Sequence, residues 1–467
     1  MADMSLENIW QEKYKVVPLQ LEKVKQIPQV ATGFNTNIDA ILKISGKTLK
    51  KLLTDNHISA KSLVNTKLNY FEKPTDVLIG ITKCFERGIA EEWITEDINI
   101  YNWMDKNLGY QRLQMGGQGG IIANVLALLG IQKIIAHTNS HPALQAKQFL
   151  NLNNLYGFNE KGELKRARAI KRNNDIPLIH WIIEFDKGDS FTLEGHTFTC
   201  PKSNRFIATY DPLNMNLVLN PHFVDYMLHE DVSYLVLSGF HALSSKNNGQ
   251  KLINNAVLLI KKWKEAHKNL IVHLEIASTQ DLAIRKAIAT KIAPLANSIG
   301  LNERETIDML QVLGKKALAT KIEKATTACN LFDAVIFLKE KLDIPRIQLH
   351  MFGLYLTIQD KRFPFTPKQN LNGMMTAATV ASAKAYIGHL EKYTDITKTL
   401  GSPVAERGLK ELEALANKLK KPELAKTGVC AFGDYQISAV PTILVEKPKT
   451  LVGMGDTISS ISLIAGR

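Results

Sequence analysis

The sequence has few cysteines and lacks a long hydrophobic run. The longest apolar stretches, such as Ile121–Ile131, reach about half of the ~20 residues that a bilayer span needs. The first fifteen residues include Asp3, Glu7 and Glu12 in place of the basic start and apolar stretch of a secretory signal. No CxxC pair or metal-finger spacing occurs among the four cysteines, which are Cys84, Cys200, Cys329 and Cys430. We therefore expect a cytoplasmic protein with reduced thiols and no membrane span.

Internal repeats, low-complexity segments and recognisable nucleic-acid modules are lacking too. The chain of 467 residues carries 58 lysines and arginines against 45 acidic residues, a net charge of +13. These cations are spread in short clusters without interleaved aromatic residues, which disfavours nucleic acid as a partner. The charge instead favours small anionic substrates such as phosphorylated metabolites. We expect no nucleic-acid partner and no membrane partner. The length predicts two or three structural units.

Apolar runs of strand length alternate with amphipathic helical segments, which is typical of βαβ units and predicts an α/β fold. The strand-like runs are Gln29–Gly33, Ile134–His137, Leu178–Phe185, Tyr234–Leu237, Leu270–Ile276 and Ile347–Ile358. The helical segments are Gly119–Leu129, Gly249–His267, Ser278–Ile292, Glu303–Leu313 and Gly408–Lys420.

Two stretches break this alternation, residues 42–112 and 166–210. They predict a smaller, discontinuous domain beside a large domain formed by residues 1–41, 113–165 and 211–467. A lid that excludes water from a ligand site is the natural role of such a domain. A pair of surface insertions is the alternative.

Ligands of an open parallel sheet bind beyond the carboxyl ends of its strands, so polar residues after apolar runs are candidates. The segment GFNTNIDAI, 33–41, supplies Asn35, Asn37 and Asp39, whose amide and carboxylate groups suit sugar hydroxyls. A turn with an Asn or Asp helix cap is the alternative.

A glycine-rich turn, MGGQGG, opens an apolar helix at residues 115–120. Gly116 and Gly117 let the backbone approach a ligand, and Gln118 adds an amide. The spacing matches neither GxGxxG after a strand nor a P-loop. Close helix packing is the alternative.

Acidic and amide residues collect after two further runs. VHLEIAS, 272–278, contains Glu275, and LNERE, 301–305, contains Asn302 and Glu305. Together they form an oxygen-rich set suited to hydrated Mg²⁺. A helix-capping arrangement is the alternative.

The sharpest motif is VGMGDTISSISLIAG, residues 452–466. Gly453, Met454 and Gly455 precede or open an apolar helix whose first amides form an anion hole. Asp456 lies where an acceptor hydroxyl would meet that hole and could take its proton. An Asp helix cap after a glycine turn is the alternative.

Two apolar segments near the carboxyl terminus, 347–358 and 437–445, carry His350, Tyr355 and Val440. Such residues could enclose a purine base, although ordinary sheet core is the more frequent explanation.

Taken in this order, GFNTNIDAI, MGGQGG, HLEIAS, NERE and GMGD resemble the ADP-dependent sugar kinases. This ribokinase-like family is best known from archaea and comprises glucokinase and 6-phosphofructokinase. The resemblance covers most of the chain and implies a Rossmann-type large domain with a smaller α/β lid. It also implies ADP as phosphoryl donor, which neither composition nor spacing indicates.

The resemblance assigns roles by matched motif. Asp456 becomes the catalytic base, Gly453, Met454 and Gly455 the anion hole, and Arg205 a phosphate contact. The metal network comprises Glu275 with His273, Asn302 and Glu305, the sugar site Asn37, Asp39, Gly117, Gln118 and His180, and the adenine border His350 and Tyr355.

In the family that this chain resembles, the choice between fructose 6-phosphate and glucose is related to two features, and both occur in this chain. Lys171 and Arg172 could bind the phosphate of fructose 6-phosphate, and a glutamate of CFERGIAEEW, for which we take Glu91 among Glu86, Glu91 and Glu92, could bind glucose. Methanogen-like family members combine both activities, so we expect phosphofructokinase first and glucokinase second, in a monomer or small homo-oligomer. An ATP-dependent ribokinase-like kinase and a non-catalytic sugar-binding protein are the alternatives, and Asp456 with NERE disfavours the latter.

Overall fold

The computed structural model describes residues 4–64 and 66–467. Its strands, in chain order, are β1 (Val30–Gly33), β2 (Asn37–Lys43), β3 (Glu91–Thr95), β4 (Arg112–Gly116), β5 (Ile134–Ala136), β6 (Leu155–Phe158), β7 (Leu164–Arg166), β8 (Ile179–Phe185), β9 (Ser190–Leu193), β10 (His196–Thr199), β11 (Asn204–Tyr210), β12 (Tyr234–Leu237), β13 (Ile271–Glu275), β14 (Ser298–Leu301), β15 (Arg346–Met351), β16 (Leu354–Gln359), β17 (Val429–Phe432) and β18 (Tyr435–Pro441).

The α-helices are α1 (Leu6–Tyr14), α2 (Val17–Val24), α3 (Gly46–Asp55), α4 (Ala60–Val64), α5 (Asp76–Arg87), α6 (Ile98–Asn107), α7 (Gln118–Leu128), α8 (Ala143–Ala146), α9 (Pro212–Met215), α10 (Pro221–His229), α11 (Gly249–Ala266), α12 (Leu282–Ala287), α13 (Glu303–Val312), α14 (Lys316–Lys324), α15 (Ala328–Leu342), α16 (Pro367–Ile387), α17 (Glu406–Leu419), α18 (Glu423–Thr427) and α19 (Met454–Ile464). No helix in the described ranges is both long and apolar enough to cross a membrane.

In the described residues, eleven strands form the large sheet, in the order β17-β18-β16-β15-β14-β13-β12-β1-β5-β6-β7. The strands from β15 to β6 run parallel, whereas β16, β17, β18 and β7 pair antiparallel at the two edges. The parallel strands are buried on both faces and therefore read as continuous apolar runs. Their carboxyl ends meet along one edge, where most of the predicted motifs begin.

A second sheet contains β3-β11-β8-β2-β4, and β9 and β10 form a separate hairpin. The five-stranded sheet, called the small sheet below, has two faces that differ in polarity. Ile38, Trp181, Phe206 and Trp93 belong to a buried apolar cluster with α5 and neighbouring helices. The opposite face carries polar residues, among them Asp39, which pairs in register with His180. The small sheet therefore has its own core and presents a polar surface on its other side.

The described residues bury their apolar side chains in two separate clusters, one for each sheet. Strand pairing divides the chain differently from the predicted domain ranges. The boundaries 41/42 and 112/113 fall inside β2 and β4, which belong to the small sheet, and 165/166 falls inside β7 of the large sheet. Only 210/211 coincides with the end of a strand. The ladder hydrogen bonds continue past the other positions, where composition shows no change.

The run Ile347–Ile358, predicted as one strand, is the antiparallel hairpin of β15 and β16. Gly353 at its turn has φ 93°, a conformation that glycine adopts without the penalty of a side chain. Both strands are buried on both faces, so no polar alternation marks the reversal in the sequence. The segment Ser278–Ile292 is shorter as a helix than predicted, since α12 begins at Leu282 after the cap Asp281.

Candidate active site

The two sheets are joined by short crossings that contain the predicted motifs. The chain leaves β1 at Gly33 and enters β2 at Asn37, and it returns from β4 at Gly116 into α7 at Gln118. The first crossing therefore contains Asn35, and both crossings meet the cleft between the sheets. Local sequence explains the tightness, because Gly117 has φ 70° and a Cβ there would lie 2.7 Å from Oδ1 of Asn37. A Cβ on Gly116 would overlap Asn37 and Asp39.

The polar face of the small sheet brings buried carboxylates and a histidine together. Asp39, His180 and Thr209 lie side by side on β2, β8 and β11. His180 Nε2 donates to Oδ2 of Asp211 over 3.0 Å, and Asn37 Nδ2 donates to Oδ1 of Asp39 over 3.1 Å. Burial raises the pKa of Asp39 to about 6. Burial acts to lower the pKa of His180, but the hydrogen bond and charge of Asp211, with the charges of Glu92 and Asp39, outweigh it, and the net shift is upward.

Asp456 faces these residues from the large domain. It lies in the first turn of α19, is only 8% exposed, and accepts a 2.8 Å hydrogen bond from Nε2 of Gln118. Oε1 of Gln118 in turn accepts the hydroxyl of Ser238 at the end of β12. Burial raises the pKa of Asp456, while the Gln118 amide and the charge of Lys384 act in the opposite direction. The carboxylate is thus positioned by the glycine turn that opens α7.

The turn before Asp456 provides unpaired backbone donors. Gly453 has φ 61°, and the first amide bonded back to the turn is that of Thr457, which donates to Gly453 O over 3.2 Å. In the described part of the chain, the amides of Met454 and Gly455 therefore precede the first bond of the helix and are open to an anion, whereas that of Asp456 bonds to its own carboxylate. A Cβ on Gly455 would lie 2.9 Å from Nε2 of His350, so close approach requires glycine there.

Lys384 braces this turn from α16. Its ammonium donates to Gly453 O over 3.0 Å and to Oγ1 of Thr457 over 3.2 Å. Burial lowers the pKa of Lys384 to about 8, against the charges of Asp456 and Asp39, which act to raise it. Sequence reasoning missed Lys384, Ser238 and Asp211. Lys384 belongs to a long helix without a local motif, and only the packing of α16 on α19 brings it to the turn.

Three buried acids converge beside the anion hole. Glu275 at the end of β13 is 3% exposed, and burial and the charges of Glu305 and Asp456 raise its pKa well above the ordinary value. Burial raises the pKa of Glu305 to about 8. Oε2 of Glu275 has no hydrogen-bond partner among the described residues. Buried acids with raised pKa values ionise more readily beside a positive charge, so this cluster fits a site that a cation would complete.

Asn302 and Glu305 form a capping box at the start of α13, with mutual side-chain to backbone bonds of 3.0 and 2.8 Å. This is the capping alternative, yet Glu305 is buried rather than exposed. Within 4–64 and 66–467, no three His, Cys, Asp or Glu residues form a set that could hold a metal ion. The carboxylate and amide oxygens of Glu275, Asn302 and Glu305 are of the kind that Mg²⁺ prefers, an ion that keeps most of its waters.

Comparison with known proteins decides the family. A family model described as "ADP-specific Phosphofructokinase/Glucokinase conserved region" matches residues 28–465. The chain belongs to this family. It is 29% identical to an ADP-specific phosphofructokinase of Methanosarcina acetivorans, over 95% of this chain and 94% of that protein. It is 30% identical to an ADP-dependent glucose/glucosamine kinase of Pyrococcus abyssi, over 99% of both.

A solved structure described as "ADP-dependent kinase complex with fructose-6-phosphate and ADPbetaS" superimposes with a TM-score of 0.82 and 28% identity, covering 99% of this chain and 98% of that chain. The predicted α/β fold class is confirmed: a large domain with a mostly parallel sheet and a smaller discontinuous α/β domain. The predicted family and enzyme class, a kinase with an alcohol acceptor, are confirmed as well.

Glu91, the glutamate expected to bind sugar, lies on the apolar face of the small sheet rather than on the polar face that carries Asp39 and His180. Glu91 pairs in register with Phe206 on the apolar face of the small sheet, and its carboxylate binds Lys83 of α5 over 2.9 Å. Glu92 pairs with Ile207 on the polar face, and its Oε1 accepts a 2.7 Å bond from Oγ1 of Thr209. Successive side chains of a strand point to opposite faces, so the neighbouring residue takes the expected place.

The predicted phosphate contacts lie in different settings. Arg172 was placed in the small domain, but it packs on the loop after β5, where it donates to Thr138 O over 3.1 Å and pairs with Asp175 over 2.8 Å. Lys171 beside it is exposed. Arg205 is exposed on the polar face of β11, about 13 Å along the strand from Thr209.

His350, Tyr355 and Val440 lie side by side on β15, β16 and β18, as their strand register shows. His350 lies against Gly455 of the anion-hole turn. Its Nε2 is also 3.9 Å from Oε1 of Glu275. Burial lowers the pKa of His350 to about 4, and neither ring nitrogen has a hydrogen-bond partner in the described part of the chain. This neutral ring forms the floor beneath the turn.

Proposed function

We propose that the protein transfers the β-phosphoryl group of ADP to fructose 6-phosphate, forming fructose 1,6-bisphosphate and AMP. The observation that carries this proposal is the carboxylate of Asp456, buried at the free amides of α19 and bonded to Gln118 on the sugar side. The family and the names of its relatives, which include ADP-specific phosphofructokinases, support the donor and the acceptor.

In this reaction, Asp456 orients the C1 hydroxyl of the sugar and takes its proton as the oxygen attacks phosphorus. The new O–P bond forms as the bond between the β-phosphorus and the bridging oxygen breaks, and AMP leaves with that oxygen. The amides of Met454 and Gly455 hold the charge of the transferring group. Arg205 contacts the phosphates from the small domain when the cleft narrows.

Glu275, Asn302 and Glu305 fit a hydrated divalent cation, Mg²⁺ by preference, beside the phosphate position. When bound, the cation offsets the negative charge of the phosphates. The protein residues would orient its waters, and its positive charge would offset the mutual repulsion of Glu275 and Glu305 and so favour their ionised forms. His273 bonds through Nε2 to Oγ of Ser459 over 2.6 Å and packs beside Glu275, with its Nε2 3.8 Å from Oε2.

The sugar lies against Asn35, Asn37, Asp39, Gly116, Gly117, Gln118 and His180. Lys171 takes the 6-phosphate, with Arg172 holding the loop that presents it. Tyr355 and Val440, with His350 at their side, border the adenine.

Glucose is the second acceptor. This activity is favoured by Glu92, which lies within the electrostatic reach of His180 and Asp39 and presents a carboxylate to sugar hydroxyls. A glucose/glucosamine kinase among the relatives supports it.

The four cysteines are all free of disulfides, which fits the reducing cytoplasm as the location of both activities.

The test crosses ADP and ATP against fructose 6-phosphate and glucose, with purified protein and Mg²⁺, and detects AMP and sugar phosphate directly. We expect AMP only from ADP and only when a sugar is present, with fructose 6-phosphate the better acceptor. Reactions without sugar control for hydrolysis of ADP. Turnover with ATP but not with ADP would contradict the proposal, and so would the lack of turnover with both sugars.

A further inference from the structure

A cavity of about 460 Å³ lies beside the active-site turn, at the β4 edge of the cleft. It is bounded by β4, one side of α7, the C-terminal end of α16, and residues 147–150 and 450–452. None of the residues proposed to bind sugar, ADP or Mg²⁺ lines it. Its volume lies within the range of small-molecule sites.

The lining of this cavity combines positive charge with an apolar wall. Its cations are Arg112, Lys147, Arg168 and Lys384, and Glu391 is the one acid among its lining residues. They come from separate parts of the chain, so the fold rather than a local charge cluster brings them together. The apolar wall comprises Ile121, Val125, Leu128, Phe149 and Leu150. This combination suits a small organic anion with an apolar body.

Arg168 is held in place by the backbone. Its guanidinium donates to Lys147 O over 2.8 Å and to Phe149 O over 2.7 Å. This fixes the loop that forms the lower wall and leaves the side chains of Arg112 and Lys147 free to adjust to a ligand, since both are exposed.

Lys384 belongs to both the cavity and the anion-hole turn. Two of its three N–H groups are used by Gly453 O and Thr457 Oγ1. A phosphate or carboxylate is a stronger acceptor than a carbonyl or a hydroxyl, because the bond is charge-assisted at both ends. An anion in the cavity would therefore draw the ammonium away from the turn.

We infer that this cavity binds a small phosphorylated or carboxylated organic anion, and that its occupation lowers turnover through Lys384. The effect falls on the anion-hole turn, so kcat falls several-fold while the KM for sugar stays the same. The binding step does not depend on the proposed function, whereas the kinetic step rests on it, so the two can fail separately.

The test uses phenyl phosphate as probe, which joins a dianion to an apolar ring. Its binding is measured by calorimetry with the cleft saturated by fructose 6-phosphate and AMP. The double variant Arg112→Gln/Lys147→Gln should bind the probe at least tenfold more weakly and retain its basal activity. Lys50→Gln/Lys51→Gln, which removes two exposed charges from α3, is the matched control and should bind as the unchanged protein does.

Equal affinity of the Arg112→Gln/Lys147→Gln variant and the unchanged protein, or no heat of binding, would overturn the site. Inorganic phosphate should bind more weakly than phenyl phosphate, and the opposite order would overturn the role of the apolar wall. Binding of the probe with unchanged kcat would overturn the coupling through Lys384.

Discussion

Gln118 donates a 2.8 Å hydrogen bond to Asp456, although 338 residues separate them in the chain. The amide of Gln118 is oriented by the hydroxyl of Ser238, which donates to its oxygen and leaves the nitrogen for Asp456. The glycine turn of the sugar side thus positions the carboxylate of the phosphate side. Gln118 and Lys384 both favour the ionised form of Asp456, against the effect of burial.

Replacement of Lys384 by Met should move the acidic limb of the kcat–pH profile to higher pH. The positive charge of Lys384 lowers the pKa of Asp456, so its removal keeps the base protonated to a higher pH. We expect a shift on the order of one pH unit. Lys384→Arg preserves the charge and should restore the limb. An unchanged limb in Lys384→Met would exclude this positioning role.

Glu91 and Glu92 form a matched pair of neighbouring, chemically identical residues on opposite faces of one strand. Glu92→Gln should reduce kcat/KM for glucose about tenfold or more, since it removes a charged hydrogen bond to a sugar hydroxyl. Glu91→Gln should leave kcat/KM for both sugars unchanged, because the Glu91 carboxylate contacts Lys83 and Nε1 of Trp93, away from the polar face. Steady-state kinetics of both variants with both sugars measures this. Similar losses in the two variants would show that the strand register does not determine recognition.

Glu305→Gln should raise the Mg²⁺ concentration needed for half-maximal activity about tenfold or more. The amide oxygen of glutamine can still accept from Asn302 N and keep the capping box, so the fold should be retained. Mg²⁺ titrations of activity, with the exposed Glu413→Gln as control, test this expectation. If the Mg²⁺ curves coincide, Glu305 has no part in metal binding.

Lys171→Gln should raise KM for fructose 6-phosphate about tenfold and leave KM for glucose unchanged, since only the former carries a phosphate. Arg172→Gln is the structural comparison, because it breaks contacts with Thr138 and Asp175 that hold the loop of Lys171, and it should weaken fructose 6-phosphate less than Lys171→Gln does and leave glucose unchanged. Equal losses for both sugars in Lys171→Gln would rule out a phosphate contact.

Sequence reasoning located the turns of the site because each carries local chemistry. Glycines, amides and acids follow buried strands, and parallel strands bring those ends to one edge. The helix starts at Gln118 and Glu303 also agree with the structure to within one residue. These features depend on a few adjacent residues and are therefore readable from the sequence.

The features that sequence reasoning did not predict depend mostly on contacts between residues far apart in the chain. The face of Glu92 is set by the register of β3 against β11, which lies more than a hundred residues away, and the exposed Ile94 obscures the alternation. The inclusion of β2 in the small sheet likewise depends on distant pairing with β4 and β8. The hairpin at Gly353 is local, and it was missed because both of its strands are buried on both faces. Lys384 is invisible to motif analysis because its role arises only where α16 packs against α19.

The most direct test of the account is single-turnover phosphoryl transfer from ADP to fructose 6-phosphate in the unchanged protein and in Asp456→Asn. The variant keeps a side chain of the same size, so the equilibrium binding of both substrates should be unchanged. We expect the rate of the chemical step to fall by about 10²- to 10⁴-fold, the range for loss of a general base. A rate near that of the unchanged protein would contradict the assignment of Asp456 as the base.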